Sequence, residues 1–428
     1  MNAAPALVVV YERGAANVTE IARSLARLAP LVFVTREDSG HTRPLLPLLR
    51  DLGRVFTYRG TPDEVAGGLS TAGVGGIVTF SETMLAVTAE LAEGLGLAHH
   101  SRETARLLTD KCLQRQRLNA TGTGPVAASL LTRPEDWPDA VHRVGLPAIV
   151  KPVHGEGSRN TFRVDDPDEG QVLVRRLLDS ESALAVEHLL RGRPCAPYGD
   201  YVSVESVTCG GTTTHLAVTG KFPLLPPFRE TGQFWPAALP AEEYRGVLEL
   251  AGEAVTALGV TTGITHTEIK LTRAGPRVIE VNGRLGGNVN ELSLRAAGLD
   301  LVELAGRVAL GHPVDIAPVR HDRVVFQYSN PVPPRPCRLL GVRGQRELRR
   351  TPGVTGYRAW IRPGASADGG VSTQDLDLIT GEAADHAGML DVVAGALGHL
   401  AFTFSFDPAE DPVEITARDL PASGAEPE

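Results

Sequence analysis

Residues 278–287, VIEVNGRLGG, carry a charged or amide side chain at every second position of an otherwise apolar segment. The polar positions are Glu280, Asn282 and Arg284. Successive side chains of a β-strand point to opposite faces, so the alternation predicts a strand with one apolar face and one polar face. The apolar face can pack on a core, whereas the polar face must meet something charged.

A second alternating segment, ITHTEIKLT, comes just before the first and is joined to it by a turn around RAGP, which predicts a β-hairpin. With that turn length, Glu268 lies roughly across from Glu280. Two facing carboxylates repel each other, whereas Mg²⁺ prefers oxygen ligands and is commonly held by carboxylates together with substrate phosphates. The hairpin therefore predicts a magnesium and polyphosphate site with Glu268, Glu280 and Asn282 as metal ligands.

The alternative for this hairpin is a solvated sheet face that is crossed by salt bridges. The GRLGGN that follows favours the metal site, because glycines let the backbone approach a ligand closely. A solvated surface has no need of such an approach.

Length and composition limit the classes of protein that fit. A chain of 428 residues predicts two to three compact units that share a cleft. Its formal net charge of −9 argues against a nucleic acid or an anionic membrane as the main partner. The chain has no run of roughly 18 apolar residues and its first residues do not resemble a secretion signal, so we expect a cytoplasmic protein. The four cysteines lack paired metal-ligand spacing and are expected to be reduced.

Lysine is rare, since only four of the 42 basic residues are lysine. They are Lys111, Lys151, Lys221 and Lys270. In a chain that otherwise uses arginine, a retained lysine suggests a position that needs a compact, flexible charge able to reach one phosphate oxygen. Each lysine falls beside a motif, which favours this interpretation over four chance positions.

The segment IVKPVHGEGSRN predicts a phosphate-binding loop. Lys151 ends an apolar strand, and glycine-rich residues follow that can turn backbone N–H groups toward an anion. These residues are Gly155, Glu156, Gly157 and Ser158. The alternative is an ordinary hairpin loop. Farther along, Glu187 in AVEHLL fits a hinge whose backbone could pair with adenine, although a surface glutamate is also open.

The ordered set of motifs between about residues 74 and 312 resembles the ATP-grasp superfamily, in particular carboxylate–amine ligases akin to L-amino-acid ligases. The motifs are TFSE, LGLAHHSRETARLLTDKCLQR, IVKPVHGEGS, AVEHLLRG, VSVES, LAVTGK, PFRETGQFWP, LGVTTGITHTEIK and VIEVNGRLGG. The resemblance implies a Rossmann-like pre-ATP-grasp α/β domain followed by two α+β subdomains that sandwich ATP. The first turn, ERGAAN, nevertheless lacks the glycine pattern of a dinucleotide site.

We therefore predict six regions along the chain. They are an α/β domain at 1–100, a linking helix at 101–122, a small ATP-grasp subdomain with the glycine loop at 123–190, a large subdomain with the Mg²⁺ and ATP site at 191–312, a β-rich closing region at 313–416 and a disordered tail at 417–428.

The resemblance also implies roles for individual residues. Lys111, Lys151 and Lys221 match lysines on the phosphate side, residues 155–158 match the glycine loop that covers the phosphates, and Glu187 matches the adenine and ribose region. Glu268, Glu280 and Asn282 match the Mg²⁺ ligands, with Mn²⁺ as a substitute ion. Arg284 matches the arginine that steadies the acyl-phosphate and the tetrahedral adduct, whereas Lys270 has no matched role.

Two departures from the family pattern concern substrate recognition. Tyr201, with Asp200 before it, stands where related sequences usually have glutamate, which puts the ribose contacts in doubt. Glu230 matches an acid that can hold a substrate ammonium, and we predict it as a catalytic-site residue together with Arg284. Gln233 replaces an expected histidine, which suggests an atypical substrate.

The predicted activity is ATP-dependent ligation of a small-molecule carboxylate to an amine, with release of ADP and phosphate. The alternatives are another ATP-grasp chemistry, such as a carboxylase component or a carrier-protein ligase, and a catalytically silent ATP-binding protein. The acid, the amine and the pathway cannot be read from the residues, and a homodimer is a reasonable expectation because two-fold dimers are the commonest oligomers.

Overall fold

The computed structural model describes residues 5–314, 316, 321–407 and 409–420. Its strands are β1 Ala6–Val10, β2 Leu31–Arg36, β3 Arg54–Tyr58, β4 Val74–Val78, β5 Ala128–Leu131, β6 Ala148–Pro152, β7 Phe162–Val164, β8 Leu184–His188, β9 Tyr201–Cys209, β10 Thr212–Lys221, β11 Gly232–Trp235, β12 Gly263–Thr272, β13 Gly275–Asn282, β14 Val324–Tyr328, β15 Cys337–Arg343, β16 Val354–Ala359, β17 Ser366–Ala367, β18 Asp377–Ala383, β19 Ala401–Ser405 and β20 Val413–Thr416.

Its α-helices are α1 Val18–Leu25, α2 Leu46–Leu52, α3 Asp63–Thr71, α4 Leu85–Leu95, α5 Arg102–Thr109, α6 Lys111–Ala120, α7 Trp137–Val144, α8 Pro167–Leu178, α9 Ala241–Ala257, α10 Val289–Ala297, α11 Leu301–Ala309, α12 Gln345–Leu348 and α13 His386–Leu397. Short 3₁₀ turns cover Arg43–Leu45, Glu82–Met84 and Pro134–Asp136.

The N-terminal sheet is parallel and four-stranded, in the order β3-β2-β1-β4. Strand β1 is buried along its whole length, which is why its sequence, ALVVV, is a continuous apolar run rather than an alternating one. The expected open parallel α/β sheet is confirmed.

The predicted linking helix is wrong as a single element, because α5 and α6 are separate helices that meet at Asp110. Asp110 has an extended backbone (φ −106°, ψ 106°), and its carboxylate accepts a hydrogen bond from the Leu113 N–H at 2.9 Å. Satisfying a free N–H at a helix start in this way stabilises the new helix. The break places Lys111 in the first turn of α6.

The second sheet is antiparallel, in the order β5-β8-β6-β7. Helices α7 and α8 contribute to the core of this unit, where Trp137 on α7 is 1% exposed and Val174 on α8 is fully buried. Lys151 lies near the end of β6, and Glu187 lies on β8 between β5 and β6. The small sheet therefore brings two sequence-predicted residues onto adjacent strands.

The largest sheet has eight strands, in the order β13-β12-β9-β10-β11-β14-β18-β16. One face is apolar and packs on α9 through a core that includes Val204, Val218 and Ile269, all fully buried. Because side chains alternate along each strand, the opposite face carries the polar residues of β9, β10, β12 and β13. This polar face is the floor of the site described below.

The eight-stranded sheet continues past position 312, since β14, β18 and β16 come from the predicted closing region. Strand β14 pairs with β11 over the whole length of β11. The predicted domain boundaries stay predictions, but the closing region shares a sheet with the strands before it.

The last sheet has the order β17-β15-β19-β20 and carries a separate core. Ala417 and Leu420 are each 2% exposed and belong to that core. The prediction of a disordered tail is therefore wrong for 417–420, where buried apolar side chains anchor a turn. The rest of that predicted tail, 421–428, lies outside the described residues.

Candidate active site

The two alternating segments form the predicted antiparallel hairpin of β12 and β13. Glu268 lies directly across from Glu280, and His266 lies across from Asn282. The register prediction is confirmed, and both carboxylates and the amide share the polar face. Asn282 is buried, whereas the side chains of Glu268 and Glu280 are 27% and 16% exposed.

His266 of the hairpin contacts a buried acid on the neighbouring strand β9, a contact that was not predicted from the sequence. Glu205 on β9 is completely buried, and both of its carboxylate oxygens lie 2.9 Å from Nδ1 of His266. Burial opposes the positive charge of His266, but Glu205 raises the pKa of this imidazole to about 9. Burial likewise opposes ionisation of Glu268, but His266 lowers the pKa of that carboxyl to about 2. Glu268 is therefore held as a carboxylate.

Every lysine lies against a carboxylate. The pairs are Lys111 with Glu280 at 3.0 Å, Lys151 with Glu187 at 2.9 Å, Lys221 with Glu230 at 3.5 Å and Lys270 with Asp200 at 2.6 Å. Three of these carboxylates belong to the sequence-predicted site. Three of the four lysines thus lie against residues of the predicted site, whereas Lys270 does not.

The glycine-rich loop follows β6 and bends back over the site. Gly155, Gly157 and Ser158 have φ values of 130°, 65° and 55°, in the region that favours glycine. The Gly155 carbonyl accepts a hydrogen bond from Nζ of Lys111 at 2.6 Å. The Gly157 carbonyl accepts one from the backbone N–H of Thr373 at 3.0 Å. The loop therefore touches both α6 and the segment before β18.

Glu187 is sequestered between two cations. Its carboxylate lies 2.9 Å from Nζ of Lys151 and 3.2 Å from Nε of Arg115, and all three side chains are at most 8% exposed. Burial opposes ionisation, but Arg115 and Lys151 lower the pKa of Glu187 to about 2. The structure thus places the Glu187 side chain as an internal counterion of Lys151, while pairing of its backbone with adenine stays a prediction.

Arg284 is shared by two acids from different parts of the chain. Its Nη2 donates to Glu156 of the glycine loop at 2.9 Å, and its Nε lies 3.1 Å from Oε2 of Glu82 without hydrogen-bond alignment. Its Nη1 donates to the carbonyl of Leu285. Burial raises the pKa of Glu82 to about 7, although Arg284 opposes the shift.

The opposite end of the polar face carries Glu230. Its carboxylate accepts a hydrogen bond from the Tyr201 hydroxyl at 3.2 Å, and it is 41% exposed. Gln233 uses its amide internally, because Oε1 accepts from Lys221 and Nε2 donates to Gly287 and Gln327. In place of the expected histidine, this glutamine therefore holds Lys221.

The sequence analysis missed the roles of several site residues for different reasons. Glu82 lies in the quoted motif TFSE, and Arg115 lies in the quoted helical motif, but neither pattern indicates a partner. Glu205 lies in VSVES, where alternation predicts a strand and cannot show that the carboxylate is fully buried. Each of these contacts joins residues that are far apart in the chain.

The oxygen donors on the hairpin fit a magnesium ion that is shared with a ligand. Within residues 5–314, 316, 321–407 and 409–420, no group of three or more His, Cys, Asp or Glu side chains could hold a metal alone. Two carboxylates and one amide leave coordination positions for phosphate oxygens and water, as Mg²⁺ prefers. Lys111 beside Glu280 shows that this face already attracts a cation.

The chain resembles solved structures over nearly its whole length, although no protein-family model matches it. The crystal structure of an L-amino acid ligase from Bacillus licheniformis superposes with a TM-score of 0.78, at 20% identity, covering 94% of this chain and 99% of that one. The fold is the ATP-grasp fold. The expected fold class is confirmed.

A second solved structure and two proteins related in sequence are also similar to this chain. The ADP complex of an N5-carboxyaminoimidazole ribonucleotide synthetase superposes with a TM-score of 0.68, at 11% identity, covering 92% of this chain and 97% of that one. Alanine–anticapsin ligase of Bacillus subtilis (strain 168) is 28% identical over 251 residues, which are 54% of this chain and 53% of that protein. Carnosine synthase 1 of Homo sapiens is 30% identical over 253 residues, or 55% of this chain and 31% of that protein. The chain thus spans about half or less of the length of these two relatives.

In the part of the chain that the structure describes, no helix is long and apolar enough to cross a membrane.

Proposed function

We propose that this chain is an ATP-dependent, ADP-forming ligase that joins a small-molecule carboxylate to an amine, such as two amino acids, through an acyl-phosphate. The observation that supports it most is the polar sheet face on which Glu268, Glu280 and Asn282 lie together, with Arg284 and the glycine loop beside them. The names of the relatives, an alanine–anticapsin ligase and a carnosine synthase, support the same reaction class.

In the first step the substrate carboxylate takes the γ-phosphoryl group of ATP. A carboxylate is a poor electrophile, and phosphorylation of one oxygen turns that oxygen into a good leaving group. Phosphoryl transfer depends mainly on positioning and charge neutralisation, which Lys111 and Lys151 can supply from two sides of the cleft. Each is held by an acid, Glu280 or Glu187, and so has a fixed position before substrate binds.

Glu268, Glu280 and Asn282 would hold Mg²⁺ here. When bound, Mg²⁺ supplies charge neutralisation for the phosphate oxygens. The ionised state of Glu268 suits it for this role, because it offers acceptor oxygens without releasing a proton.

In the second step the amine nitrogen attacks the acyl carbon, and the C–O bond to phosphate breaks with its electron pair leaving on phosphate. The nitrogen loses one proton as the amide forms, and the departing phosphate is a base that can accept it. Arg284 carries preorganised donors suited to the developing negative oxygen, where one such donor can contribute roughly a hundredfold or more in rate. Glu230, which is partly exposed, is suited to hold a substrate ammonium.

Water would hydrolyse the acyl-phosphate, so the glycine loop should close over the site during the reaction. Its contacts with Arg284 through Glu156, and with Thr373 through the Gly157 carbonyl, support a closed position of this kind. We also propose a cytoplasmic location and a homodimer. The four cysteines are free, which agrees with a reducing compartment.

The test is a matrix of carboxylates and amines, scored by ADP release and by product mass. We expect ADP release that requires both substrates, and we expect the substitution Glu280→Ala to abolish it. Glu243→Ala is the matched control, because this glutamate pairs with Arg193 outside the site, and it should leave the rate unchanged. Retained activity in a folded Glu280→Ala protein would refute the assignment.

Two further reactions separate the proposal from other chemistries of the same fold. A biotin carboxylase from Campylobacter jejuni superposes with a TM-score of 0.67 at 15% identity, so the fold alone does not decide the reaction. ADP release that depends on bicarbonate, or on a carrier protein, would contradict the amine ligase. Nucleotide binding without turnover on any amine would indicate a silent protein.

A further inference from the structure

Three ionisable side chains on the neighbouring strands β9 and β12 contact one another in a row. They are Glu205, His266 and Glu268. Glu205 lies directly across from His266, and Nδ1 of His266 is 2.9 Å from both carboxylate oxygens of Glu205. On the other side of the ring, Nε2 lies 3.6 Å from Oε1 of Glu268. The imidazole therefore stands between a fully buried carboxylate and the carboxylate that faces Glu280.

Glu205 and the loop after β13 hold the ring of His266 in one orientation. Glu205 also accepts hydrogen bonds from the hydroxyls of Ser203 at 3.0 Å and Thr219 at 3.1 Å, so its carboxylate cannot turn freely. Gly286 packs on the ring, because a Cβ built there would lie 2.5 Å from Nδ1. One glycine of the GRLGGN segment is thus required by the position of the imidazole.

The arrangement does more than satisfy a buried acid. A carboxylate only accepts hydrogen bonds, so Nδ1 donates to Glu205 and the Nε2 edge of the ring is left facing Glu268 at 3.6 Å. Glu268 lies across from Glu280, and like charges directly opposite in a sheet repel each other. A fixed imidazole beside Glu268 limits rotation of this carboxylate.

We propose that His266, held by Glu205, is a positioning residue that orients the Glu268 carboxylate toward a magnesium ion bound with the nucleotide. This inference rests on the proposed function for the metal nucleotide only, and it does not depend on the acid or the amine. Residues that orient a metal ligand from behind typically contribute about tenfold to a hundredfold in metal affinity.

The experiment measures metal binding without turnover. A fluorescent ATP analogue is bound to the full-length protein, and Mg²⁺ is titrated into the complex. For His266→Gln we expect an apparent Mg²⁺ affinity that is lower by about tenfold to a hundredfold, while binding of the analogue without metal is unchanged. The unchanged metal-free binding shows that the variant is folded.

The matched control is His215→Gln. His215 is a partly buried histidine on β10 whose Nδ1 lies 2.8 Å from the Ser206 hydroxyl, and its ring faces α9 near Gly252 on the other face of the same sheet. Its substitution should leave the Mg²⁺ affinity at the wild-type value. An equal loss in His215→Gln and His266→Gln would mean a general effect on the sheet and would overturn the proposal.

Glu205→Gln is a second test of the role of His266. It keeps the shape of the side chain, and Glu205 contacts the imidazole of His266 rather than Glu268. We expect a loss of Mg²⁺ affinity in the same direction and no larger than that of His266→Gln. Wild-type Mg²⁺ affinity in both folded variants would overturn the role of His266 while leaving the proposed function intact. A wild-type protein whose nucleotide binding does not respond to Mg²⁺ would overturn both proposals.

Discussion

Glu187 and Glu82 are both almost completely buried and each lies beside an arginine, yet the pKa values of their carboxyl groups shift in opposite directions. The pKa of Glu187 falls to about 2, whereas the pKa of Glu82 rises to about 7. Burial raises both, so the difference comes from their partners. Glu187 has two cations, Arg115 and Lys151, each within hydrogen-bonding distance.

Glu82 has one neighbouring cation, Arg284, and shares it with Glu156. Arg284 lies 3.1 Å away but also pairs with Glu156, and the charge of Glu280 raises the Glu82 pKa further. The comparison shows that burial penalises both carboxylates, and that the number of aligned donors decides whether the charge survives. The charge of Glu187 is thus fully compensated, whereas Glu82 shares its single arginine with a second carboxylate.

The largest expected effect comes from removing the well-compensated acid. Glu187→Gln leaves Lys151 and Arg115 buried without their counterion, and breaking a buried pair in this way costs about 3 to 5 kcal/mol. We expect this loss in the free energy of unfolding, measured by urea denaturation near neutral pH. Glu243→Gln, which breaks a partly exposed pair with Arg193, should cost about 1 kcal/mol or less. Equal losses of unfolding free energy in Glu187→Gln and Glu243→Gln would contradict the view that Glu187 is a well-compensated buried acid.

A smaller effect of opposite sign is expected for Glu82→Gln. The folded pKa of Glu82 is raised from 4.5 to about 7, so between these values the folded state binds the proton that the unfolded state has released. Stability contributed by this group is present below the unfolded pKa and is lost as pH rises to the folded pKa.

The amide of Glu82→Gln does not ionise, so its unfolding free energy should gain about 2 to 3 kcal/mol relative to wild type between about pH 5 and about pH 8. Urea denaturation across this pH range measures the difference. A difference that does not change with pH would show that Glu82 is ionised in the folded protein and compensated like Glu187.

The next effect concerns nucleotide binding and ranks two lysines. Lys151 is held by the internal Glu187, whereas Lys270 pairs with Asp200, whose side chain is 34% exposed. If Lys151 contacts phosphate with a charge-assisted bond, Lys151→Ala should raise the KM for ATP by roughly tenfold to a hundredfold. Lys270→Ala should raise it far less, and steady-state kinetics with varied ATP would show it. Similar increases would refute this ranking.

The smallest effect is expected for Glu156→Gln, which removes the competitor of Glu82 for Arg284. The side chain of Glu156 is 40% exposed, so stability should change by about 1 kcal/mol or less. Because the charge of Glu156 raises the pKa of Glu82, its removal should move the Glu82 titration toward lower pH. Infrared titration of the carboxyl band, with Glu82→Gln to assign it, measures the shift. A shift toward higher pH would contradict the sharing of Arg284.

The local sequence pattern was sufficient to predict the register of the hairpin. It was insufficient to predict which residues of other strands contact the hairpin. The period of two in β12 and β13, with a short turn between them, determines which residues face each other, and Glu268 does lie across from Glu280. The same pattern reports nothing about Glu205, whose contact with His266 depends on the pairing of β9 with β12. Strand order is a long-range property that alternation does not encode.

The other errors have local and long-range origins. The helical pattern through residues 101–122 does not reveal the break at Asp110, which ends α5 and caps α6. The polar composition after residue 416 suggested disorder, but Leu420 is buried against the last sheet. The partnership of Arg115 and Glu187 joins residues 72 positions apart and could be seen only in three dimensions.

The pairing of β11 with β14 has a consequence for any shortened version of this chain. Gln233 on β11 is bonded to Gln327 on β14, and the same glutamine holds Lys221. A protein cut near residue 312 would leave β11 with a row of unpaired amide and carbonyl groups, which attracts strands from other molecules. Such a fragment should aggregate, so β14 is structural support for the edge of the sheet that carries Lys221 and Gln233.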